Sequence, residues 1–162
     1  MEPVLFVLFG AIAVGGAIMV VTRKHPMASA LYLILSLFAV AALFALRQAH
    51  FLAAIQVIVY AGAVVVLFVF VIMLINVQED RLPVERTTAL RILGIVAAGL
   101  LMLEGAVLAR RAGIPPGRAA DAGSVQAVGK ALFTDYLLAF EITSVLLLAA
   151  IIGAIALAKK KI

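Results

Sequence analysis

Cysteine and tryptophan are absent from the sequence, histidine occurs only at His25 and His50, and charged side chains make up just 13% of it. Without cysteine, disulfides and Cys-ligated iron–sulfur clusters are excluded, and two histidines do not make a self-contained metal site. Any redox centre serving this chain is expected on another one. The shortage of charge is equally restrictive, because a soluble domain is about 45–50% apolar and about 25% charged. Here 67% of 162 residues are hydrophobic and the mean hydropathy is +1.27. A chain this short has too little interior to hide so much apolar surface, so its solvent is expected to be lipid. Missing too are a phosphate-binding glycine loop, paired catalytic carboxylates in a secluded pocket and a Ser/His/Asp arrangement, so no catalysis is expected of the chain alone.

The net charge of +5 does not point to nucleic acid. The basic residues fall in short clusters between long apolar runs, which is how membrane-flanking anchors are distributed. Runs long enough to span a bilayer, about 20 residues each, cover 3–22, 27–46, 51–77, 88–109 and 136–158. The fold expected is an all-α integral membrane protein of five transmembrane helices in one membrane domain, 1–162, without a soluble domain. The first run lacks a basic segment before it and carries Arg23 and Lys24 after it, so it reads as a retained span rather than a cleavable signal. Pro26 follows His25 at a position where a helix can begin. Segment 110–135 reads as an outer loop, broken at Pro115-Pro116-Gly117, with a short interfacial helix near 124–132.

Basic residues set the orientation. Arg23, Lys24, Arg81, Arg86, Arg91 and Lys159 to Lys161 make eight on one side, against five on the other: Arg47, Arg110, Arg111, Arg118 and Lys130. The N-terminus is thus expected outside and the C-terminus in the cytoplasm. His25 and His50 then lie on opposite faces, as solvated turn residues rather than joint ligands. Small residues four apart, Ala11 with Gly15, Gly94 with Ala98 and Ala149 with Gly153, suit close helix approach without naming a partner. No internal repeat of the kind found in secondary transporters is visible.

Polar groups inside spans are costly and therefore informative. Gln56 and Tyr60 share a face of the third span, and Ala61-Gly62-Ala63 and the β-branched run Val64-Val65-Val66 follow. Glycine freedom beside β-branched crowding makes local winding vulnerable there. The 27-residue run is roughly 40 Å long as ideal helix, against about 30 Å of hydrocarbon, so it tilts, protrudes or contains an irregular turn. Glu104 and Glu141 sit at similar depths near the outer ends of their spans. Each is a candidate for a hydration or protonation path, or else snorkels outward, Glu104 toward Arg110 or Arg111 and Glu141 toward Lys130 or headgroup water.

The third span, from Ala54 through Gln56, Tyr60-Ala61-Gly62-Ala63 and Val64-Val65-Val66 to Leu74, resembles the signature of subunit J, or mitochondrial chain 6, of the proton-pumping NADH:quinone oxidoreductase, respiratory complex I. A second match runs from Gly129-Lys130-Ala131-Leu132-Phe133-Thr134-Asp135-Tyr136 through Phe140-Glu141 to Ile152-Gly153-Ala154 and is similar to that family's last helix. The loop 110–135 departs from the family pattern residue by residue, and the tail after Lys161 is short. The resemblance implies a non-catalytic subunit with no cofactor of its own. FMN, iron–sulfur clusters and quinone are then expected on partner subunits, with this chain between the quinone-site subunit and the antiporter-like subunits. It further implies a π-bulge in the third helix, a single turn within residues 60–66. Tyr60, Gly62 and Val65 then stand in the coupling region, Tyr60 ordering water in an axial proton path.

Three functions fit this reading. The first is a complex I subunit that helps couple quinone reduction to proton translocation in a bacterial cytoplasmic membrane. The second is a small structural subunit of a multisubunit cation/proton antiporter, and the third an independent transporter, which the lack of a charged central site disfavours.

Overall fold

Two apolar runs separated by Arg23-Lys24-His25 leave room only for a tight reversal, and the chain takes it. In the computed structural model, which describes residues 2–75, 88–111 and 123–159, helix α1 (Glu2–Thr22) turns into α2 (Pro26–Leu46), and the two pack along their length. His25 holds extended dihedrals at the N-cap and Pro26 opens the helix, so proline's missing N–H costs nothing. The two backbones come close at Gly16. A Cβ there would stand 3.1 Å from Ser36 Cβ and 3.2 Å from the Tyr32 carbonyl oxygen. Ser36, buried at this crossing, donates from Oγ to the Ala13 carbonyl at 2.9 Å, which satisfies its hydroxyl within lipid depth.

The end of α2 is a Schellman motif: Ala49 N–H donates to Phe44 O and Gln48 N–H to Ala45 O, with Gln48 in the left-handed region at φ 60°. The chain thereby reverses into α3 (His50–Ile75), which packs back on α2. Ala30, Ala39, Ala41, Ala61 and Val65 form the small core. Helix α4 (Thr88–Arg111) follows, then α5 (Val125–Phe133) and α6 (Leu137–Ala158). Ser124 caps α5 by accepting the Ala127 N–H at 3.2 Å, and the Phe133 and Phe140 rings meet edge to face at 5.1 Å, joining α5 to α6.

No strand occurs among the described residues, and α1, α2, α3 and α6 are each long and apolar enough to cross a membrane. Helix α4 carries the shorter apolar stretch Ile92–Leu108. The boundaries differ slightly from the expected ones: α3 begins at His50, α4 extends to Arg111, and Tyr136, at φ −115° and ψ 23°, lies before α6 rather than in it. Helix α5 occupies the position of the short helix expected near 124–132. The break expected at Pro115-Pro116, the basic residues Arg81, Arg86, Arg118, Lys160 and Lys161, and the expected end of the third span at 76–77 lie outside the described residues.

Candidate functional site

The irregularity of α3 is large. After α-helical His50–Ile55 the winding widens to a π-helix over Gln56–Val64 and returns to α over Val65–Ile75. The transition is anchored at Val65, whose N–H reaches back five residues to the Tyr60 carbonyl. This corrects the expectation of a single turn within 60–66: the π segment starts at Gln56, nine residues long, and spans about two turns. The reason lies in the direction of the hydrogen bonds. Each N–H bonds five residues toward the N-terminus, so a disturbance at Gly62 to Val66 displaces acceptors upstream of the residues that cause it.

Gly62 has a specific place in this winding. A Cβ on it would stand 3.2 Å from the Val57 carbonyl oxygen, five residues back, tighter than ordinary contact. Ala61 and Val65 are the buried face of the segment, 6% and 2% exposed, and the π segment packs against α2. Tyr60 points away from that contact and is 51% exposed, while Gln56 and Gly62 are half-buried. The structure thus brings Gln56, Tyr60 and Gly62 into the irregular segment, sets Val65 at its end where α winding resumes, and divides the four between buried or half-buried positions and the exposed Tyr60.

Glu104 and Glu141 are not part of it. Both are exposed, on α4 and α6. The outward ion pairs with Arg110, Arg111 and Lys130 do not form among the described residues, and the hydrogen bond made at Glu141 uses its main-chain carbonyl, which accepts from Ser144 Oγ at 2.7 Å. His25 and His50 are exposed at opposite ends of α2, with His50 Nε2 3.3 Å from Gln48 Oε1. No group of three His, Asp or Glu side chains suited to a metal ion occurs among the described residues.

The sequence reading made α1 and α2 an antiparallel pair, as the structure has them, but missed Gly16 as the residue at their crossing. Among the described residues, Gly15, Gly94 and Gly153, singled out there, have no atom of another element within 4 Å of a would-be Cβ; Gly16 does. It missed the Arg23–Tyr32 contact as well, in which Nη2 donates to the phenol oxygen at 3.2 Å and the guanidinium lies 5.3 Å from the ring centre. It also missed the docking of Gly123 on Ala49, where a Cβ on the glycine would stand only 2.7 Å from the alanine Cα. Ser36 was findable, since a hydroxyl inside an apolar run asks for a partner as much as Gln56 or Tyr60 does.

Comparison with known proteins agrees along nearly the whole chain. A sequence model of the family described as NADH-ubiquinone/plastoquinone oxidoreductase chain 6 matches residues 16–157. The NAD(P)H-quinone oxidoreductase chain 6 of Leptolyngbya boryana is 36% identical over 161 residues, covering 99% of this chain and 81% of that protein. The NADH-quinone oxidoreductase subunit J of Rhodobacter capsulatus is 38% identical over 94% of this chain and 79% of its own, and that of Escherichia coli is 38% identical over 92% and 82%. The match takes in α2, α3 with its π segment, α4, α5 and nearly all of α6, so the chain belongs to the chain 6, or subunit J, family of NADH:quinone oxidoreductases.

Proposed function

We propose that this chain is a non-catalytic membrane subunit of a proton-translocating NADH:quinone oxidoreductase and that α3 couples quinone reduction to proton movement by changing its winding. The observation that carries the reading is the π segment Gln56–Val64, packed on α2 through Ala61 and Val65 and exposing Tyr60. Returning one π bulge to α winding turns the helix beyond it by roughly 100°, one residue's worth of rotation. Such a turn makes or breaks a water chain beside Tyr60 and Gln56. Tyr60 acts by orienting water, and the two windings form a bistable element that a partner at the quinone site biases through packed neighbours. FMN, the iron–sulfur clusters and the quinone belong to partner subunits, and the chain's neighbours are the quinone-site subunit and the antiporter-like subunits.

Five spans in a bacterial cytoplasmic membrane, N-terminus outside, complete the reading. The Gly123–Ala49 contact supports the number of spans, because the α2–α3 turn and the segment before α5 share a membrane face only if α4 crosses, and the clustering of basic residues supports the orientation. The experiment is Gly62→Val in the assembled complex. Valine crowds the Val57 carbonyl in the π state and so disturbs the balance of the two windings, and proton translocation per quinone reduced should fall with assembly preserved. Full coupling in that variant overturns the mechanism.

A further inference from the structure

Where α1 begins and α2 ends, the two helices line an open groove of about 370 Å³, toward the small end of the range of small-molecule sites. Its floor is apolar, formed by Pro3, Phe6, Val7 and Leu46, and its rim carries one acid, Glu2, and one base, Arg47. Both charged residues are exposed and no ion pair joins them among the described residues. The position is an interfacial one. Glu2 opens a membrane-spanning helix and Arg47 caps the next, so the rim stands at headgroup level and the floor at the first methylenes of the acyl chains.

From this arrangement we infer that the groove holds one glycerophospholipid with a zwitterionic headgroup. Arg47 presents a planar fork of donors suited to a phosphate. Glu2, across the same small cavity, suits the ammonium of an ethanolamine. The upper acyl chain lies on Phe6, Val7 and Leu46, which are already apolar and need no rearrangement. An anionic lipid gains Arg47 but meets Glu2 as a like charge, and a detergent or quinone ring uses neither rim residue. The opposed charges therefore favour a dipolar headgroup over a singly charged one. The lipid fills a gap between two helix ends that Gly16 holds together further along, making the α1–α2 hairpin and its bound lipid one unit.

The test places photoreactive p-benzoylphenylalanine at Val7 in the assembled complex, in nanodiscs with equal amounts of phosphatidylethanolamine and phosphatidylglycerol. After irradiation the mass of the chain reports what was captured. The expected adduct is phosphatidylethanolamine, in about fivefold excess over phosphatidylglycerol, corresponding to one interfacial charge contact. Arg47→Gln should lower lipid capture about fivefold, and Glu2→Gln should bring the ratio of the two lipids to about one. Glu2→Gln keeps side-chain length and shape at an exposed helix end, and it decides the matter alone if the Arg47 variant assembles poorly. Capture of a protein subunit, equal or preferred capture of phosphatidylglycerol by the unsubstituted groove, or indifference to both substitutions overturns the assignment.

Discussion

Gly16 and Gly15 are adjacent in the sequence, and only geometry separates them. Ser36 Cβ, Ser36 N and the Tyr32 carbonyl all stand 3.1–3.3 Å from a Cβ placed on Gly16, whereas the same atom on Gly15 meets nothing within 4 Å. Two of the three neighbours of Gly16 are backbone atoms, which do not step aside. Gly16→Val should therefore cost about 1–3 kcal/mol of hairpin stability, seen as a lower unfolding midpoint of the detergent-extracted subunit, with Gly15→Val much milder in the same assay. Ser36→Ala should cost less, about 0.6 kcal/mol, because the lost bond to the Ala13 carbonyl has competitors even within the membrane. A small-xxx-small spacing was legible in the sequence, but which small residue meets a neighbour depends on helix rotation, and α1 is apolar all round. With no polar stripe to fix its rotation, the sequence of α1 does not say which face turns to α2. The acids behave differently again. Glu141→Gln should disturb assembly or local hydration more than pumping, and Glu104→Gln should be milder still. Loss of nearly all proton translocation by Glu141→Gln in an intact complex that still reduces quinone places that carboxyl on the proton path.

Helix α3 shows how far an element is readable from its residues. The length of the run, the polar pair Gln56 and Tyr60, and the glycine beside the β-branched run all marked it as strained. The extent of the π winding was not legible, because it depends on which carbonyls accept each bond rather than on local propensity. Tyr60→Phe leaves the backbone path intact and removes only the hydroxyl on the open face, so it should slow proton translocation with the quinone-reductase rate little changed at first turnover. Helix α5 is the opposite case. Ser124 announced its start, and Ser124→Ala should cost about 1 kcal/mol, seen as faster amide exchange over Val125–Phe133. What the sequence did not announce is that Gly123, one residue earlier, seats this helix on the turn that starts α3.

At the scale of the molecule the described surface is divided. Helix α2 packs against both α1 and α3, while the described side chains of α4 are all exposed and α6 packs on α5. The accessible surface is 13642 Å², against about 7,700 Å² for a compact water-soluble monomer of the same mass. The proposed topology rests on the charge distribution for its orientation and on the Gly123–Ala49 contact for its number of spans. A cysteine placed at Gly117 should react with an impermeant thiol reagent from outside, and one at Glu79 only after the membrane is opened; the reverse pattern rejects the orientation. The bare faces of α4 and α6 also bear on the order of events in biogenesis. In lipid an exposed apolar helix carries no hydrophobic penalty, so the hydrophobic effect does not press α4 or α6 onto the first three helices once they are inserted. The hairpin of α1 and α2, closed by Gly16 and Ser36, can form while the ribosome is still making α4. Among the described residues, Gly94, Gly99, Gly105 and Gly153 are open on the surfaces of α4 and α6. A subunit that packs on these faces needs to displace only lipid.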